Sequence, residues 1–485
     1  MRDAVALKAL VVAGLITTAV LACSGGLRPV LDGPDSTQYV ALSNCSPMEI
    51  LGSCRTLGYP MLLRLVRSIT PGLSLIPFIQ LGALLAAAGA WFYGLRATGT
   101  PVTIATVAAL SLLASPMLTH VMAVRTDALG CALSVASVGA ALAFLGTGRT
   151  AALVATSLLA FCAYQIRPAY LFLIPFLPVL GATLGSVLDR AEPARRAIRA
   201  TLALAAATAI PYMTFAVIRF ALVGHFGLVS FAGTNLIGIA GQFAAPGATP
   251  PLPQPCDSLV AAVVVAQRDS FRELEATGRA LDTLGIIAPG VELDPVARMR
   301  NRAYIDYAYV RTISLYAASA ARIVGSEVGQ TSVPVRQDDR LGDGHAQINQ
   351  IAVDRLLLRT AIELIRRNPV LYATYVAKNL RVGLLKAVAV HDEALAAVLI
   401  LLLASVVGVP AWLQLSLEDY GRALRVLLPS CIGYALASGL LVVAVEPAID
   451  RYTDAMGVLC PSLYGLALVG AAQVLSHART NTVCC

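Results

Sequence analysis

Two carboxylates and seven cations carry most of the chemistry that can be read from this sequence. Asp35 lies in Asp32-Gly-Pro-Asp-Ser-Thr-Gln-Tyr-Val-Ala-Leu-Ser43, directly after an apolar run at 4–24, and Arg55-Thr-Leu-Gly-Tyr-Pro60 follows it. A carboxylate at a membrane face, beside a bilayer-embedded substrate, suits a general base that takes a proton from an incoming hydroxyl. The same residue also fits a plainer role, as N-cap of a Ser36–Leu42 segment. Arg55, Arg125, Arg167, Arg219, Arg381 and Arg451 fall on the same side of the apolar runs, with Lys378 as a point-charge alternative. The planar fork of arginine donors matches phosphate, although each of these side chains could instead snorkel to lipid headgroups. Asp127, in Arg125-Thr-Asp127, could orient an acceptor, help hold a metal or pair with Arg125. Tyr39, Tyr59 and Tyr452 are candidates for substrate contact, or interfacial anchors. His120 and Asp127 alone make a thin metal signal. A divalent cation is therefore left open, with no ligand set assigned.

The elements that position these residues are membrane spans. Of 485 residues, 57% are hydrophobic and 13% charged, with a mean hydropathy of +0.74. Soluble domains carry about 25% charge, so a soluble enzyme is excluded and an all-α polytopic membrane protein is expected. Spans of about 20 residues are predicted at 4–24, 73–95, 101–118, 128–146, 151–166, 169–187, 200–222, 394–414, 424–445 and 455–475. Pro168 sits between the fifth and sixth, so 151–187 could instead be a broken pair meeting near the surface. The net charge of +8 reads as topology rather than nucleic-acid binding, because the arginines are scattered among apolar runs. With a cytoplasmic N-terminus, the cluster Arg190, Arg195, Arg196 and Arg199 stays inside. Asp32, Asp35, Asp127, Glu446 and Asp450 then join Arg55, Arg125, Arg167 and Arg451 outside.

Three regions follow: 1–222, an N-terminal module of about seven spans whose first outer loop is 25–70; 223–391, a polar segment too long for a structureless loop; and 392–485, with about three spans. Apolar spacing in the middle segment predicts helices over Ser258–Leu284, Pro295–Val324 and Ile348–Leu385, forming a helical cap. Asp294-Pro295 reads as an N-cap with proline at the first helical position. Of the ten cysteines, Cys45 and Cys54 share the first outer loop and could pair in an oxidising compartment.

The order of these features resembles the membrane-embedded glycosyltransferases of the GT-C superfamily, which includes protein O-mannosyltransferases and the aminoarabinose transferase acting on lipid A. Pro34-Asp35-Ser36-Thr-Gln-Tyr39-Val-Ala-Leu42 looks like the first-loop motif, and Gly58-Tyr59-Pro60-Met-Leu-Leu63 like the Gly-Tyr-Pro that leads into an interfacial helix. Arg125-Thr126-Asp127 sits where relatives carry a second acid. Arg167-Pro168-Ala-Tyr170, Asn368-Pro369-Val-Leu-Tyr372 and Asp450-Arg451-Tyr452 look like further recurring features. Ser36 follows Asp35, whereas eukaryotic and some bacterial relatives carry Asp-Glu there, which weakens a metal site. The resemblance implies a polyprenyl-phosphate-linked sugar donor and a glycan, lipid or protein acceptor. It also implies an active site facing the periplasm from a bacterial inner membrane, with Asp35 as base and inversion at the anomeric carbon. A polysaccharide polymerase or ligase, or a lipid-linked sugar transporter or flippase, are the alternatives. The one-sided placement of charges and the unequal halves favour the transferase.

Overall fold

The computed structural model describes residues 27–70, 72–188, 191–244, 251–281, 302–327, 344–388, 415–448, 450–467 and 469–471, with parts of a first helix at 8, 11–15, 17–19 and 21. The expected span 394–414 and the Asp294-Pro295 cap lie outside these residues, and 4–24 lies inside them only in part. Everything described is helix, turn or loop, apart from one isolated bridge between Val30 and Ala123.

Three short helices follow that first one: α1 (Gly33–Leu42), α2 (Pro47–Gly52) and α3 (Gly58–Ile69). Ser46 starts α2 with a capping box, since its Oγ accepts from Glu49 N at 3.3 Å while Glu49 accepts from Ser46 N. Arg64 and Arg67 of α3 reach back to the end of α1. Arg64 donates to the carbonyls of Ser43 and Cys45, and Arg67 to Ser43 Oγ and Asn44 Oδ1. Cations thus meet the helix end where carbonyls are left over.

The bundle follows: α4 (Ile76–Ala97), α5 (Val102–Ser111), α6 (Asp127–Thr147), α7 (Thr150–Ile166), α8 (Leu173–Leu188) and α9 (Pro193–Val223). After the cap helices come α15 (Leu417–Val445) and the short α16 (Asp450–Met456). By length and composition five helices can cross a membrane: α4, α6, α8 with its leading turn, α9 and α15. Val102–Ser111, Thr150–Ile166 and Cys460–Ala471 are shorter apolar helices.

Ten full spans are therefore not what the described residues contain. The expected span 101–118 is ten residues of α-helix followed by two 3-10 turns, broken at Ser115-Pro116, because proline lacks the N–H that a helix interior needs. The expected 455–475 span divides at the 457–459 turn. Little of α9 is buried, and Ile198, Leu202, Ile210 and Val217 are exposed. Such an apolar face belongs against lipid.

Small residues let α4 and α6 touch backbone to backbone, as membrane helices without a hydrophobic drive between them require. A Cβ on Gly94 would strike the Gly139 carbonyl, one on Gly139 the Ala90 carbonyl, and one on Gly146 the Ala97 carbonyl. Gly139→Leu is expected to lower the melting temperature of the detergent-solubilised protein, by overpacking worth roughly 1–3 kcal/mol. Gly89→Ala, where an added methyl meets nothing, is the control and leaves it unchanged or slightly raised.

A second hydrophobic core lies between α9 and α15 in sequence. It is built from α10 (Ala232–Ala240), α11 (Cys256–Leu281), α12 (Arg302–Glu327) and α13 (Gly344–Arg367), with Tyr375 from α14 (Pro369–Val388). Ile237, Leu259, Tyr316, Leu357 and Leu364 are buried there. The single helix expected over Ile348–Leu385 is two, because Pro369 forbids continuation through Asn368.

The helix ends sort into two faces. Thr98, Leu188, Glu418, Arg422 and Arg425 line one cavity of about 380 Å³ at the end away from Asp35. Arg196 donates to the Leu145 carbonyl at the same end.

Candidate active site

Asp35 is not an N-cap. Asp32 occupies that position of α1, and Asp35 stands in the first turn. Its carboxylate is gripped from both sides: Arg55 Nη2 donates to one oxygen at 2.5 Å and Arg451 Nη1 to the other. Arg55 is steadied by Gln38, whose Oε1 accepts from Nε at 2.8 Å, and its guanidinium lies over the Tyr39 ring. Burial alone pushes the Asp35 carboxyl up, but the charges and hydrogen bonds of Arg55 and Arg451 outweigh it and hold the group below the usual carboxylate range. With its side chain 23% exposed, Asp35 remains open to a ligand.

Asp127 is different. It begins α6, where an anion meets the positive end of the helix, and its side chain is 2% exposed. Arg167 donates to it from the extended residue before Pro168, and Arg125 Nε stands 3.9 Å away. Arg125 also reaches Asp32 at 3.0 Å and His120 Nδ1 at 3.1 Å. A guanidinium can only donate, so Nδ1 accepts and the His120 Nε2–H faces Asp454 at 2.9 Å. His120 and Asp127 thus serve Arg125 from two sides rather than sharing a metal. Among the described residues no three His, Cys, Asp or Glu side chains gather as a metal site.

The loop carrying Arg125 is fastened twice. Buried Gln80 of α4 donates to the carbonyls of Val121 and Ala123, both at 2.9 Å. Val30 pairs with the same strip through Val30 N to Met122 O at 2.8 Å and Val124 N to Val30 O at 2.9 Å. This clasp brings Asp32 and Arg125 together, and through α1 it sets Asp35.

Tyr452 fills the space between the two acid–arginine pairs. Arg167 and Arg451 guanidinium carbons lie 4.6 and 5.1 Å from its ring centre, and its hydroxyl donates to Glu446. Tyr39 and Tyr59 stack edge to face at 5.1 Å. The hydroxyl of Tyr59, Arg125 Nε and Arg451 Nε are buried donors without a hydrogen-bond acceptor among the described residues. Four guanidiniums, two carboxylates and these unmet donors gather here, an arrangement whose chemistry suits an anion beside a base.

No family model matches the chain, and no curated protein matches it. Among solved structures it aligns with the crystal structure of ArnT from Cupriavidus metallidurans bound to undecaprenyl phosphate. The identity is 15% over 97% of this chain and 77% of that one, with a TM-score of 0.32. Agreement that loose carries no argument.

The remaining candidates sit elsewhere. Arg219, fully buried, donates to the carbonyls of Leu51 and Gly227 and to Ser230 Oγ, at 2.9, 3.2 and 2.8 Å. It therefore fastens the end of α9 to α2 and offers nothing to phosphate. Lys378 and Arg381, on α14, have no hydrogen bond or ion pair linking them to Asp35 or Asp127 among the described residues. Cys45 and Cys54 are free thiols, and the Cys54 sulfur accepts from Gln38 Nε2 at 3.4 Å. Asp454 was invisible as a partner, although its spacing of three from Arg451 puts both on one face of a short helix.

Proposed function

We propose that this chain is an integral membrane glycosyltransferase that moves a sugar from a polyprenyl-phosphate donor to a hydroxyl of a glycan, glycolipid or protein. Asp35 takes the proton as the hydroxyl oxygen bonds to the anomeric carbon. The bond from that carbon to the phosphate oxygen breaks, and the lipid phosphate leaves as an anion. The attack comes from the face opposite the leaving group, so the product is inverted. A departing phosphate is already a stable anion and needs no acid; it needs positive charge to hold it. Arg55 and Arg451 supply that charge, with Arg125 and Arg167 behind them fixed by Asp127. The active face is that of the periplasm, in a bacterial inner membrane.

The observation that carries this reading is the grip of Arg55 and Arg451 on a ligand-accessible Asp35 at one end of an apolar bundle. A flippase needs charge near the midplane, and a diphosphate-using polymerase needs no acid just after its first span. The test is mass spectrometry of envelope glycans and glycolipids from a deletion strain complemented with wild type or Asp35→Asn. A sugar lost on deletion, restored by wild type and absent with the variant at equal expression supports the transferase. An unchanged glycan profile on deletion overturns it.

A further inference from the structure

Glu446 follows the last turn of α15. Its carboxylate receives two donors at once, the side-chain amide of Asn235 on α10 and the hydroxyl of Tyr452. Arg451 adds a bond of 3.3 Å to the same phenol oxygen. The two arginines lying over the Tyr452 ring are those that grip Asp35 and Asp127. α10 approaches this corner a second time, because Phe231, just before it, lies under Arg55 at 5.6 Å. The helix is itself tied into the second core, where Thr234 N and Oγ1 donate to Asp354 at 2.9 and 3.1 Å.

We infer that Glu446 is a positioning residue for the anion grip: it fixes Tyr452, and through that ring Arg451 and Arg167, and it ties this arrangement to α10 through Asn235. The inference rests on the transferase reading. Two guanidiniums repel each other, and the face of one aromatic ring attracts both. A phenol that donates its proton to a carboxylate has a more electron-rich ring, which strengthens that attraction. Burial and the adjacent Glu446 raise the Tyr452 phenol above its usual value, so it stays a donor. Without Glu446 the ring loses the bond that sets its tilt, and Asn235 loses its acceptor. No reacting atom is touched, so binding of the lipid phosphate weakens while the chemical step does not.

The test uses the full chain in nanodiscs, with undecaprenyl phosphate as the binding probe and sugar transfer as a second readout. Glu446→Gln is expected to raise the Kd for the lipid phosphate and the donor KM by about tenfold, with kcat within about twofold of wild type. Asn235→Ala shifts Kd in the same direction. Tyr452→Phe, which keeps the ring, raises Kd by about threefold, and Tyr452→Leu, which removes it, by about thirtyfold. A purely structural Glu446 would lower melting temperature and yield and leave Kd and KM alone, which overturns the inference. Should Glu446→Gln fail to fold, unchanged Kd in both Asn235→Ala and Tyr452→Phe overturns it equally. Wild type that binds the lipid phosphate but transfers no sugar defeats the transferase reading and leaves the positioning result standing. Wild type that binds no lipid phosphate defeats both.

Discussion

Asp35→Asn is expected to slow the proposed sugar transfer by about 10²- to 10⁴-fold, the range for loss of a general base, and at the same time to bind a polyprenyl phosphate more tightly than wild type. The second half of this result follows from the arginine grip on Asp35. There the Asp35 carboxylate occupies Arg55 Nη2 and Arg451 Nη1, the donors that a phosphate would take. An incoming anion must displace it, and an amide competes for guanidinium donors far less well than a carboxylate. Hydrogen bonds to charged groups are worth about 1.5–3 kcal/mol each, so a gain of about tenfold in affinity is expected. The same competition explains how so weak a base could act. While both arginines hold it, Asp35 sits below the usual carboxylate range and takes a proton poorly. A phosphate that draws one guanidinium away restores basicity at the moment an acceptor needs it. Donor must then bind before acceptor, and initial rates with both substrates varied should give an ordered pattern. Transfer retained in Asp35→Asn removes the base role; weaker lipid-phosphate binding in the variant removes the competition.

What the sequence made legible here was length and side. Bilayer thickness dictates the apolar runs behind α4, α6, α8, α9 and α15, so their existence could be read directly. Asp35, Arg55, Arg125, Asp127, Arg167 and Arg451 could be read as sharing one face, because helix ends alternate. Register could not be read. Arg451 meets Asp35 across 416 positions, and no local pattern says which arginine reaches which acid. Arg219 has the same residue type and the same side as Arg451, yet carbonyls of α2 and the loop beyond α9 take its donors. Backbone acceptors leave no mark in composition. Two breaks are legible in the sequence: Pro116 and Pro369 each forbid a continuous helix through them. Gln80 was hidden inside an apolar run, where one amide looks like a tolerated polar residue. Only the folded loop shows it holding the Val121 and Ala123 carbonyls.

Arg167→Leu is expected to do the largest damage to the fold, and the reason separates folding from chemistry. Asp127 is 1% exposed and Arg167 7%, so their ion pair is sealed inside the bundle where α6 begins and α7 ends. Removing Arg167 leaves the buried Asp127 carboxylate cut off from water, with only Arg125 at 3.9 Å as counter-ion, and losing one partner of a buried pair costs roughly 3–5 kcal/mol. Against a typical stability of about 5–15 kcal/mol, that is enough to deplete folded protein. Asp127→Asn strands the guanidinium in the same way, though Tyr452 still lies against it. Removing both partners, as Asp127→Leu with Arg167→Met, replaces two buried charges by apolar volume and is expected to recover most of the lost melting temperature. Activity is expected not to return with stability, because Arg125 loses its neighbouring carboxylate and Tyr452 one of its two cations. Thermal unfolding and sugar transfer measured on the two single variants and the double variant decide this. If the double variant recovers both, Asp127 and Arg167 only hold helices together. If it recovers stability alone, the pair orders the cations behind the phosphate, and the buried charge persists because the site needs it.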